Sequence, residues 1–285
     1  MDKVLLYLLR GVCQLPGYVA YEKGFFLDND LSLEIQILPT AWIIPEVLGA
    51  DGNRFAVIPW TRVAAAVDSK LVLLCGSGIE EAAVVLRSGL RPSEVRRVAV
   101  PVAGGMKDLT AMALLKDLGW SDAELCRQPS GDGAILALVG QAADAASMVE
   151  PYATMLEGLG IGKVIKRTGD IWPGAPGCSL SARTELVREN PDLLQRVVTA
   201  YVKGAQFVTA NPQEAAGIGS RYVGVNAQFI LEALQVNRPD PLAIRNEAPM
   251  QKILSLMKEL GYLSNQPSNY TNMSFLNKAL TSLAG

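Results

Sequence analysis

The residue type this 285-residue sequence lacks constrains its chemistry most: it contains no histidine. Histidine is the commonest zinc ligand and the usual general base near neutral pH, so serine–histidine and cysteine–histidine nucleophile systems are excluded. Cys13, Cys75, Cys126 and Cys178 stand too far apart for a C-x-x-C metal or redox pair and read as free thiols, buried or lining a cleft. What remains is binding chemistry, with charged and amide side chains beside glycine and proline turns around Arg10, Lys107 and Glu150. No metal, no organic cofactor and no catalytic residue is expected.

The elements that must position those residues follow from the apolar pattern. With 49% hydrophobic and 19% charged residues the chain can bury a large core, and 26 basic against 28 acidic residues leave no basic face for a nucleic-acid backbone. The apolar runs at 4–9 and 71–75 are far below the ~20 residues of a membrane span. Met1-Asp2-Lys3 leads directly into the first run with no small-residue cleavage site. The protein is therefore expected either to stay in the cytoplasm or to be the mature part of an exported chain. Short apolar runs alternate with helix-like segments, the signature of βαβ units. Strands are expected at 4–9, 33–38, 54–58, 71–74, 83–86, 98–100 and 145–149. Helices are expected at 18–23, 62–67, 109–118, 134–139, 183–189, 191–210, 212–222, 227–234 and 249–260, with another running up to Leu48. The glycine-rich run from Gly158 to Gly162 follows a helix-like segment and reads as a turn, not a dinucleotide fingerprint. Two such blocks, joined by two crossings, imply an α/β protein of two lobes with a cleft between them. Residues 1–80 form the first part of lobe I, 81–180 form lobe II, and 181–285, mainly helical, complete lobe I.

Three motifs carry a resemblance. Gly17-Tyr18-Val19-Ala20-Tyr21-Glu22-Lys23-Gly24-Phe25-Phe26 follows the first strand. Asp144-Ala145-Ala146-Ser147-Met148-Val149-Glu150-Pro151-Tyr152 ends the second block. Glu189-Asn190-Pro191-Asp192 and Asn211-Pro212-Gln213-Glu214-Ala215-Ala216 open two helices. Together, over nearly the whole chain, these resemble the substrate-binding proteins of ABC transporters for nitrate, sulfonate, taurine and thiamine-pyrimidine precursors, the NMT1/THI5-like family. The resemblance implies a periplasmic-binding-protein fold of type II, each lobe a parallel-rich sheet flanked by helices. The motifs also have local physical roles. Gly24 suits a left-handed helix end with Phe25 and Phe26 anchored in the core, and Asn190 and Asn211 suit N-caps before a proline at the first helical position. Arg54 stands where the family commonly has aspartate and reads as a changed surface cap. Some relatives make a thiamine pyrimidine by consuming one of their own histidines and a bound pyridoxal phosphate; without histidine that reaction cannot run here.

Candidate contacts cluster at strand ends. The loop after the first strand offers Arg10, Cys13, Gln14 and Pro16, near a helix start able to hold a polar or anionic group. Trp42 and Trp60 follow strand ends and read either as aromatic walls for a flat ligand or as core residues. Thr61 and Ser77 read as ligand hydroxyls or as caps. Gly104, Gly105, Met106 and Lys107 resemble the family's glycine-rich ligand loop, with Lys107 either pairing with a carboxylate or sulfonate or left solvated. Glu150 and Tyr152 face the cleft if the family pattern holds. Glu150 favours a cationic or N–H-bearing ligand and Arg10 an anion, a conflict the sequence leaves open. The expectation is a monomeric, non-enzymatic receptor outside the cytoplasm. It captures a small organic molecule, a planar heterocycle or aromatic acid or a sulfonate-like anion, and passes it to a membrane permease of an ABC transporter. The alternative is a cytoplasmic enzyme or sensing module on the same scaffold, with carboxylates such as Glu150 as acid or base.

Overall fold

A computed structural model describes residues 1–66, 70–265 and 267–284. Among these described residues, ten strands form two five-stranded sheets. The strands are β1 (Asp2–Leu8), β2 (Leu31–Ile37), β3 (Arg54–Pro59), β4 (Leu71–Gly76), β5 (Ala82–Arg87), β6 (Arg97–Pro101), β7 (Glu124–Gln128), β8 (Ala145–Val149), β9 (Gly162–Arg167) and β10 (Cys178–Arg183). One sheet has the order β2-β1-β3-β10-β4 and the other β7-β6-β8-β5-β9. Each is mixed. Pairs β1–β2, β1–β3, β6–β7 and β6–β8 are parallel, whereas β10 and β5 run antiparallel to both of their neighbours. The parallel ladders come from the βαβ units, and the antiparallel ones arise where a strand has crossed from the other sheet.

The two crossings lie side by side. Gly177 N–H donates to Gly78 O at 2.8 Å, Ser77 N–H to Cys178 O at 3.0 Å and Glu80 N–H to Ala175 O at 3.0 Å. The first sheet is covered on one face by helices Leu15–Glu22, Pro191–Ala210, Pro212–Val223, Ala227–Ala233 and Ser274–Ala284, which pack over Leu6, Leu8, Val57 and Leu180. Its other face packs on Ile44–Gly49, Trp60–Ala65 and Glu247–Glu259. The second sheet buries a smaller core on each face, around Val85, Leu138 and Leu156 and around Val100, Leu114 and Trp120. No helix is long and apolar enough to cross a membrane among the described residues.

Local sequence explains several boundaries. Gly24 takes φ 74° just past the helix Leu15–Glu22, and Phe25 and Phe26 are buried behind it. Asn190 caps its helix by accepting from Leu193 N–H at 3.2 Å. Asn211 does not cap: its amide turns back and donates to Phe207 O at 3.3 Å. The expected helix at 18–23 begins earlier, because Pro16 is already pre-set for the first turn. The helix expected at 62–67 is Trp60–Ala65, and Val67 lies outside the described residues. Arg54 is no solvated cap. Its guanidinium donates to Tyr7 Oη at 2.8 Å and Asp51 O at 3.0 Å, tying the loop before β3 to β1.

Candidate functional site

A cavity of about 210 Å³ lies between the sheets, at the carboxyl ends of β1, β2, β3, β6, β7 and β8, where ligands of open α/β sheets bind. Three helices begin on its wall. Cys13 and Gln14 precede Leu15–Glu22 from the first lobe; Met106 and Lys107 open Met106–Asp117, and Ser130, Gly131 and Asp132 open Gly131–Val139, both from the second. Helix starts carry unsatisfied N–H groups and partial positive charge, so their convergence favours an anion.

The side-chain charges agree. Among the described residues the Arg10 guanidinium and the Lys107 ammonium make neither ion pair nor hydrogen bond, although the Lys107 carbonyl accepts from Ser147 Oγ at 2.6 Å. Arg62 donates to Ala103 O at 2.9 Å, its Nε is buried without a partner, and burial pulls its pKa down despite the nearby Asp108. Asp108 is spoken for: Arg127 pairs with it and Gly104 N–H donates to its Oδ2 at 2.9 Å. Gly104 reaches that position in the left-handed conformation, φ 85°, which glycine adopts without strain. Tyr152 also lines the cavity, and burial pushes its hydroxyl up to about 12.

One corner, beside the crossings, is different. Cys13 and Cys178 bring their sulfurs to 3.4 Å, and Glu81 joins them, all three ligand atoms lying within 4.8 Å of one another. Gln14 Nε2 donates to Cys13 Sγ at 3.2 Å and to Cys178 Sγ at 3.4 Å. Its Oε1 accepts from Leu9 N–H at 3.1 Å, which fixes the amide's direction. Burial pushes the Glu81 carboxyl up, against the opposing pull of the Cys178 and Cys13 thiols and the Lys107 ammonium. Burial raises the Cys178 thiol well above its ordinary value, with Cys13 and Glu81 adding to it. For Cys13, contact with Cys178 lowers the pKa, but burial and the Glu81 carboxylate outweigh it.

Of the residues singled out from sequence, Arg10, Cys13, Gln14, Gly105, Met106, Lys107 and Tyr152 line the cavity. The others do not. Trp60 is fully buried in the core, donating to Pro176 O at 2.9 Å and stacked on Tyr270. Trp42 is 51% exposed on a turn, while its neighbours Thr40 and Ala41 line the wall. Pro16 is buried against the helix Pro191–Ala210. Ser77 donates to Cys13 O and shares a 2.5 Å hydrogen bond with Tyr201, so it shapes the loop instead of lining the cavity. Thr61 donates to Gly104 O at 2.9 Å, which with the Arg62–Ala103 bond latches the lobes together. Gly104 lies on the outer side of that latch. Glu150 is buried facing away, held by Arg167 and accepting from Thr154 N–H at 3.0 Å. Sequence reading missed Arg62, Glu81 and the segment Pro129 to Asp132, and gave Cys178 only as one of four free thiols, buried or lining a cleft. Arg62 and Glu81 look like ordinary helix or strand-end residues, and only Ser130-Gly131-Asp132-Gly133 carried a helix-start signal.

Two mixed sheets flanked by helices, with the cavity between them, are an arrangement that known proteins share. The profile of the NMT1-like family matches residues 65–220, more than half of the chain. The chain belongs to the NMT1-like family. A Brucella abortus protein, named only as a candidate binding protein, is 23% identical over 218 residues, covering 73% of this chain and 67% of its own. The fold is shared with the ligand-binding component of an ABC-type import system from Staphylococcus aureus, solved with zinc bound (TM-score 0.85, 17% identity, 98% of this chain and 99% of that one). It is shared too with the periplasmic nitrate-binding protein NrtA from Synechocystis (0.82, 16%, 99% and 89%). An enzyme, the desulfurization enzyme DSZB, also has it (0.73, 16%, 99% and 100%).

Proposed function

We propose that this NMT1-like protein is the solute-capturing receptor of an ABC-type importer, acting outside the cytoplasm, and that its cargo is a small organic anion of sulfonate or carboxylate type. The observation that carries this reading is the convergence on one cavity between the lobes of three helix starts and of Arg10, Arg62 and Lys107, none of them in an ion pair among the described residues. Against these cations stand Asp132 and the protonation-prone Glu81. An anion touching Arg10 from one lobe and Lys107 from the other bridges both, so its binding favours the closed arrangement over an open one. The residues 77–80 and 175–178 act as the hinge, and the closed form is what a permease recognises.

The cavity is small, with apolar walls from Leu38, Pro59 and Val149, and a single aromatic face, Tyr152. With Trp42 and Trp60 off the lining, a pair of indole walls does not define the cargo, and an anionic head on a short apolar body suits the space better than a flat neutral ring. The enzyme reading loses Glu150 as acid or base, because Arg167 and Thr154 hold it away from the cavity.

The test is a thermal-shift and calorimetric screen of alkanesulfonates, aromatic carboxylates, nitrate, bicarbonate and neutral heterocycles. A ligand bound only by the native state stabilises it by about 2.7 kcal/mol at a hundredfold excess over its Kd. Organic anions are expected to raise the Tm and to be recovered unchanged, and the double substitution Arg10→Ala, Lys107→Ala is expected to abolish the shift. Stabilisation by neutral heterocycles alone, or recovery of an altered ligand, overturns the reading.

A further inference from the structure

We propose that Cys13, Cys178 and Glu81 are the protein ligands of a single thiophilic divalent cation of the zinc class, held at the corner of the cleft where the two crossings meet. The proposal stands apart from the identity of the organic cargo. It rests on three side chains that arrive from three places: the loop after β1, the residue before β5 and the first residue of β10.

The donor set fits such an ion. Two sulfurs select for a soft or borderline metal, and a carboxylate completes three protein ligands, leaving a fourth tetrahedral position open. Cys13, Glu81 and Cys178 all line the cavity, so that open position faces ligand space. Zinc–sulfur bonds of about 2.3 Å in a tetrahedron set the sulfurs about 3.8 Å apart. The present 3.4 Å separation requires a movement of only a few tenths of an ångström.

Features outside the donor atoms point the same way. Glu81 is 98% buried, being only 2% exposed, and its Oε2 has no hydrogen-bond partner. A buried carboxylate oxygen without a partner is costly, and a cation beside it removes that cost. Gln14 is locked by Leu9 so that its NH₂ group donates to both sulfurs, as hydrogen-bond donors beside a metal do toward its thiolate ligands. Gly177 leaves the room the carboxylate occupies: a Cβ there would lie 2.5 Å from Glu81 Oε2. The charge count selects the valence. Two thiolates and one carboxylate carry −3, of which a dication leaves −1. A monovalent ion would leave −2 buried at the same corner.

The experiment uses the full chain, kept reduced, stripped with a chelator and titrated with Co²⁺ as a spectroscopic probe. The expected result is one equivalent bound with a near-ultraviolet sulfur-to-cobalt charge-transfer band and the visible bands of a tetrahedral site, both erased by Zn²⁺. Cys13→Ser and Cys178→Ser are expected to abolish the charge-transfer band or cut it strongly. Gln14→Leu, which removes the hydrogen bonds to both sulfurs, is expected to weaken Co²⁺ affinity about 10–100-fold, and Cys126→Ser to change nothing. Should a cysteine variant fail to fold, as judged by its thermal melt, Glu81→Gln and Gly177→Ala carry the test, since each keeps all four thiols and is expected to weaken binding at least tenfold. Absence of the sulfur band in the parent at saturating Co²⁺ overturns the proposal. So does a band that persists in both cysteine variants, or one that survives undiminished in Glu81→Gln and Gly177→Ala.

Discussion

The two lobes repeat one strand order. Each sheet reads second, first, third, crossing strand, fourth: β2-β1-β3-β10-β4 in one and β7-β6-β8-β5-β9 in the other. The crossing strand is supplied by the chain as it returns from, or enters, the other lobe, so each sheet is completed by its partner's connection. The lobes differ in how they are held. The first is stabilised by long amphipathic helices packed on a wide apolar face; the second has small cores and relies on polar clips at its strand ends. Asp144 is such a clip, accepting from the N–H groups of Arg96 and Arg97 at 3.0 Å each and pairing with Arg87. Two glutamates at the junction sharpen the contrast. Glu150 is paired with Arg167 and serves the scaffold, whereas Glu81 is left unpaired at the cavity. Identical topology therefore does not imply identical use: the site is built where a buried charge lacks a partner.

Three substitutions test this division. The largest effect is expected from Glu150→Ala, which leaves the part-buried Arg167 without its carboxylate and should cost about 3 kcal/mol in urea unfolding. A loss below 1 kcal/mol would remove Glu150 from the scaffold. Next is Gly204→Ala in the first lobe. A Cβ at that position would lie 2.3 Å from Pro16 O and 2.9 Å from Ala20 Cβ, wedging the helix Leu15–Glu22 off Pro191–Ala210. Overpacking of this kind costs about 1–3 kcal/mol, and because that helix carries Cys13 and Gln14 at its start, cleft binding should weaken too. An unchanged Tm would show that the two helices can separate without loss. The smallest is Asp144→Asn, about 1–2 kcal/mol near neutral pH. Burial pushes the Asp144 pKa up, but the Arg96 and Arg97 N–H groups and the Arg87 guanidinium outweigh it and hold it below 3.8. Its contribution is therefore present above about pH 4 and is lost as the pH falls through the folded pKa. Stability curves of parent and variant measured against pH should converge in acid; a constant gap would mean that ionisation of Asp144 is not what matters.

Strands with their own apolar runs were legible: β1, β3, β4, β5 and β8 are buried on both faces and announce themselves. β7 and β9 were not. They are the outer strands of the second sheet, and Glu124-Leu125-Cys126-Arg127-Gln128 and Gly162-Lys163-Val164-Ile165-Lys166-Arg167 are strands because a neighbour pairs with them, not because their side chains demand it. β10 was hidden in the same way, since it forms only once the chain has crossed back. The candidate site divides similarly. The loop at Arg10, Cys13 and Gln14 and the turn before Lys107 follow strand ends, which local pattern can reveal. Trp60 follows a strand end equally well, yet its indole turns into the core to reach Pro176 O.

The amino-acid sequence alone determined the class of fold, the family resemblance and the absence of histidine chemistry, because those depend on composition and on short-range periodicity. Tertiary structure alone decided which groups meet. Cys13 and Cys178 are 165 residues apart, and they touch because the two crossings run side by side between the sheets, a juxtaposition that no local spacing encodes.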